Sequence, residues 1–125
     1  MTTTTKQHFK LGQIVMTQGA QAALEEIAEN IIPLDMPNRD IAIRYNVQNG
    51  TKALLIMHSE LRQGTLCNDD HKLNKQACAT EGQRDKDGHL MQERILSSYE
   101  IENTKFWVIT EYDRSVTTLL LPSEY

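Results

Sequence analysis

Cysteine is scarce in this chain. Cys67 and Cys78 are the only two in 125 residues, too few for a disulfide framework, and a reducing, cytoplasmic setting is the expectation. Long apolar runs are missing as well. Nothing approaches the ~20 residues that cross a bilayer, and the opening MTTTTKQHFK lacks the apolar core of a secretory signal. Positive charge is in short supply, with 13 Lys and Arg against 17 Asp and Glu and a net charge of −4. That balance disfavours nucleic acid as a partner, because phosphate affinity comes from clustered Lys and Arg. Aromatic residues make up 6%, so the core must rest on aliphatic side chains. Catalytic signatures are also missing: there is no G-x-S-x-G elbow, no phosphate loop and no CxxC knuckle. The balance is against an enzyme, and no cofactor is expected.

What is present reads as one domain over residues 1–125, with residues 1–8 a polar, Thr-rich flexible leader. Phe9 to Thr17 reads as a strand, and Thr17 stands where a helix N-cap would. From Gln18 the period becomes helical. Ala20, Ala23, Leu24, Ile27, Ala28 and Ile31 form one apolar stripe, and Glu25, Glu26 and Glu29 take the wet face. Pro33 ends that helix. Ile41, Ile43, Tyr45 and Val47 alternate with polar or small residues. Asn49-Gly50 follows, the favoured pair for a two-residue hairpin turn, so 40–57 is expected to be a hairpin. A helix beginning near Lys52 is the alternative. A helix is expected from Asn68 or Asp69 to about Thr80, with Leu73, Ala77 and Cys78 facing inward. Residues 81–88 read as an exposed loop.

The last quarter carries the densest β-branched run. Ile95 to Ile101, Phe106 to Glu111 and Val116 to Leu121 read as three strands, separated by turns at 102–105 and 112–115 and stopped by Pro122. The fold class is therefore α+β: a small antiparallel sheet, with a C-terminal three-stranded meander packed against two or three helices. Both faces of the last two strands carry apolar groups. The second face needs a cover, either the 40–57 region or another chain.

Few residues suggest chemistry. His58, Cys67, His71 and Cys78 are zinc-ligand types within a short span, and Cys67 and His71 could share a helical turn. Their spacing fits no metal pattern, and Cys78 suits an apolar helix face. Asp85-Lys86-Asp87-Gly88 resembles part of a calcium loop. Placing Gly88 as the loop glycine puts Gln83 and Arg94 where carboxylates are required, so a solvated turn is the reading. The 111–115 turn is the best candidate for meeting a partner. Asp113 and Ser115 are ordinary turn residues, whereas Arg114, beside Glu111 and Asp113, could anchor a protein.

Arg94-Ile95-Leu96-Ser97-Ser98-Tyr99, followed by Trp107 through Tyr125 (WVITEYDRSVTTLLLPSEY), carries a resemblance. It is similar to the ending RILSAY…WIITEADRSxTTxLLPxEY of a family of small proteins from plasmids, integrative elements and prophages. Phe9 to Val15, with Gly19 and Ala20, resembles that family's opening. His58, Gly64, Leu66, Asp70 and Asn74 resemble its centre. Leu61, Arg62 and Gln63 stand where the family has Gly, Asp and Trp, and 31–53 and 80–92 look like added length. The resemblance implies a mobile genetic element and brings no catalytic residues. The expected function is thus a non-catalytic accessory protein that binds a host or element-encoded protein, with inhibition of a defence complex such as CRISPR or restriction as one version. A homodimer is compatible with it. The competing readings are a small metal-dependent hydrolase using His58, Cys67 and His71, and a DNA-binding regulator with Lys10, Arg39, Arg44, Lys52 and Arg62 on one face.

Overall fold

A computed structural model describes residues 9–60, 81–89 and 93–125. The leader at 1–8, the helix expected from 68 to 80, and Cys67, His71 and Cys78 lie outside the described residues. The order is β1 (Gln13–Met16), α1 (Gln18–Ile31), α2 (Arg39–Ser59), β2 (Ile95–Ile101), β3 (Thr104–Thr110), β4 (Val116–Leu120) and a 3₁₀ turn (Pro122–Glu124). The architecture is α+β. The sheet order is β1-β4-β3-β2. The C-terminal meander is antiparallel as expected, but β1 pairs parallel to β4, with Gln13 beside Val116 and Met16 beside Leu119. The sheet is therefore mixed.

Local chemistry explains most boundaries. Thr17 caps α1 by accepting from the Ala20 N–H at 3.2 Å. The helix stops before Pro33. Ala20, Leu24, Ile27 and Ala28 are buried, while Ile31, the last member of the expected stripe, is exposed. β1 is shorter than Phe9 to Thr17. Gly12 has φ +67°, and a Cβ there would lie 2.4 Å from the Arg114 carbonyl oxygen, so the chain bends out of the sheet at the one residue that permits it. The β2–β3 turn needs only two residues. Glu102 and Asn103 both have positive φ, 49° and 65°, the pairing that matches strand twist.

The hairpin expected over 40–57 is not formed. Those residues belong to the 21-residue helix α2. The alternation of Ile41, Ile43, Tyr45 and Val47 competes with a second pattern. Ile43, Val47, Gly50, Leu54 and His58 recur at helical spacing, and Val47, Leu54 and His58 are buried on that stripe. Packing outweighs the local Asn-Gly preference, because a Gly inside a helix costs only about 1 kcal/mol relative to Ala, while burying a Leu or Val contributes about 1.5–3 kcal/mol. Val47 and Leu54 join Leu24, Ala28, Tyr99, Phe106, Val108 and Leu119 in one core. Both helices therefore lie on the same face of the sheet, and α2 does not cover the second face. On that other face Tyr125 packs edge-on against Trp107, centroids 5.7 Å apart.

Candidate functional site

The inward face of the sheet carries three polar residues at positions where alternation calls for apolar ones: Ser97 on β2, Thr110 on β3 and Thr117 on β4. All three are fully buried, and so is His58 near the end of α2. Thr117 lies opposite Thr110 in the ladder, and α2 lowers His58 onto the pair.

Hydrogen-bond accounting fixes where each proton sits. Thr117 Oγ1 donates to the Leu11 carbonyl at 2.6 Å, and a hydroxyl has one proton to give. Thr110 must therefore be the donor in the 2.7 Å contact between the two threonine hydroxyls. With its own proton spent, Thr110 Oγ1 accepts from His58 Nε2 at 2.8 Å. His58 is then the Nε2–H tautomer, and its Nδ1 accepts from Ser97 Oγ at 2.6 Å. Burial holds the imidazole neutral, with the Arg114 charge adding to the effect, and its pKa falls to about 3. Both ring nitrogens are occupied, so His58 is not presented to a metal. The Ser97–His58 pair has the contact of a nucleophile and its base, but both side chains are sealed and the third partner is a neutral hydroxyl.

Phe9 closes this network. Its ring stands edge-on to His58 at 5.1 Å, and the Arg114 guanidinium lies 5.5 Å from its centroid. Arg114 is itself buried, at 7% exposure. It donates to Glu81 through Nε and Nη2, at 3.0 and 2.7 Å. Its Nη1 donates to the Glu93 and Glu111 carbonyls at 2.7 and 2.9 Å. Its backbone is left-handed, φ 60°. Of the residues expected to meet a partner, Arg114 is thus turned into the fold and fully engaged. Asp113 is exposed, and its carboxylate accepts from the hydroxyl and N–H of Ser115, which holds its pKa below the usual range. Glu111 is half-buried and closes the turn through its backbone.

Two exposed surfaces stand out among the described residues. The outer face of α1 carries Glu25, Glu26 and Glu29, with no Lys or Arg anywhere in Gln18–Ile31. Beside it a cleft of about 240 Å³ is lined by Glu26, Ile27, Asn30, Glu102 and Thr104 among others. The second surface is α2, whose outward residues include Ile41, Tyr45 and Ile56. Arg39, Arg44 and Lys52 are spread around α2, with about 140° between the first two, and Arg39 donates to the Glu29 carbonyl at 2.7 Å. They do not converge on one basic face. Arg62 lies outside the described residues.

Residues 85–88 form a turn. Asp85 Oδ1 accepts from the N–H groups of Asp87 and His89. The ligand atoms of Asp85, Asp87 and His89 lie within 4.8 Å of one another, all exposed. Among the described residues no helix is long and apolar enough to cross a membrane. The polar network around His58 was not legible as a site. Its one signal in the sequence is that Ser97, Thr110 and Thr117 interrupt apolar strand faces. No protein-family model, curated protein or solved structure matches this chain.

Proposed function

We propose that this chain is a non-catalytic accessory protein of a mobile genetic element that binds a protein, and that it inhibits a host defence complex such as CRISPR or restriction by laying an acidic face into a nucleic-acid channel. The mobile-element setting rests on the resemblance of residues 94–125. The observation that supports binding is the one-signed face of α1. Glu25, Glu26 and Glu29 project from a helix that carries no Lys or Arg of its own, and Glu102 lines the adjoining cleft with Glu26. A rigid helix holds such charges at fixed spacing, which favours rapid, salt-dependent association with a basic channel. A non-catalytic role agrees with the sealing of the Ser97–His58 pair.

The test is competition. The chain is added to the purified restriction and CRISPR complexes of the host while their binding to labelled DNA is followed. Displacement of DNA is expected, weakening as salt rises. Replacing Glu25, Glu26 and Glu29 together by Lys should abolish it. DNA binding that is undisturbed at saturating chain, or displacement unchanged by the triple replacement, overturns the reading.

A further inference from the structure

We propose that α2 is a dimerisation helix, pairing antiparallel with α2 of a second copy of this chain. The surface differs from the acidic face of α1 and goes beyond the proposed function. The inward stripe of α2 is Val47, Leu54 and His58. The opposite stripe, by helical spacing, is Ile41, Tyr45, Gln48, Asn49, Lys52 and Ile56. Ile41 is 61% exposed, Tyr45 65% and Ile56 49%. Three large apolar side chains along about 24 Å of one helix are a costly surface to leave in water.

The stripe is self-complementary about its midpoint between Gln48 and Asn49. In an antiparallel pair centred there, Ile41 meets the partner's Ile56, Tyr45 meets the partner's Lys52, and Gln48 meets the partner's Asn49. Apolar groups meet at the ends, an ammonium meets an aromatic ring next to them, and amides pair at the axis. Polar residues at the centre of a helix–helix seam set its register. A parallel pair fails on charge, since it sets Lys52 against the partner's Lys52. The antiparallel arrangement also has room for the ends. A groove of about 460 Å³ runs beside Ile41 and Tyr45, bounded by Met36, Pro37 and Asn49 among others. The partner's Ile56 falls at this groove.

Sedimentation equilibrium of the full chain tests the proposal. The expected mass is twice 14.3 kDa. Ile41→Glu should halve it, and so should Ile56→Lys, each with the circular dichroism and melting of a folded chain. The two together should restore the dimer, because the antiparallel register sets each new charge against its opposite. A single-chain mass at high micromolar concentration overturns the proposal. So does a dimer that survives both single changes, which would place the contact elsewhere. Single changes that dissociate the dimer, without recovery in the double variant, overturn the antiparallel register. None of these outcomes bears on DNA displacement, so the two proposals fail separately.

Discussion

Ser97 donates a hydrogen bond to His58. The 2.6 Å contact between Ser97 Oγ and His58 Nδ1 runs in that direction because the other end of the chain terminates on the Leu11 carbonyl, which can only accept. One backbone oxygen at the N-terminal end of the sheet thereby sets the tautomer of an imidazole on α2. The arrangement satisfies four buried side chains with no donor left over, the condition under which a polar network in a core is tolerated.

The first prediction follows from the state of that ring. Folded, His58 stays neutral down to about pH 3, whereas in the unfolded chain it takes a proton near 6.5. Between those values the unfolded chain holds more protons. Stability from this group is therefore full above about pH 6.5 and falls as pH drops through the window, by about 1.4 kcal/mol for each pH unit. Nitrogen NMR should show a protonated Nε2 and no titration of His58 near neutrality. His58→Ala should cost about 3–5 kcal/mol in urea unfolding, from the cavity and the stranded hydroxyls. Ser97→Ala should cost less.

Gly50→Ala discriminates between helix and hairpin by sign. A Cβ at Gly50 would meet only Leu24 Cδ2, at an ordinary 3.8 Å. In a helix the change should stabilise by about 1 kcal/mol, read as a higher melting temperature. In an Asn-Gly turn it would destabilise.

Arg114→Lys should destabilise the fold by about 2–4 kcal/mol in chemical denaturation, because an ammonium cannot serve Glu81 and several carbonyls from one fixed fork. A residue kept only to anchor a partner would leave stability unchanged on this substitution.

Glu124 ties the end of the chain to α1. Its carboxylate accepts from Thr17 Oγ1 at 2.5 Å and from the Gly19 N–H at 3.1 Å. The Thr17 hydroxyl, with the Leu121 N–H next, holds its pKa below the usual glutamate value. This contribution is in place above the ordinary pKa and is lost as pH falls through the lowered one. Glu124→Gln should lower the melting temperature at neutral pH and flatten its decline in acid. Gly19→Ala should flatten the acid decline in the same way, since a Cβ there would lie 2.6 Å from the Glu124 carboxylate and displace it, while Ala in place of Gly favours the helix itself.

Local chemistry was enough for the elements whose partners lie close in sequence. Thr17 and Pro33 bound α1. The C-terminal meander follows from β-branched alternation broken at 102–105 and 112–115, although β3 begins already at Thr104. The charge balance and the acidic face of α1 are properties of composition and period alone. The tertiary structure decided the rest. Residues 41–57 satisfied both a period of two and a helical period, and only the presence of Leu24 and the sheet gave the helical stripe something to pack against. Arg114 reads as a surface charge until Glu81 and Phe9 close on it. His58 reads as a metal ligand until Ser97 and Thr110, 39 and 52 residues away, occupy both its nitrogens. Those partners are distant along the chain and selected by the register of three strands, a quantity that no local pattern of residues contains.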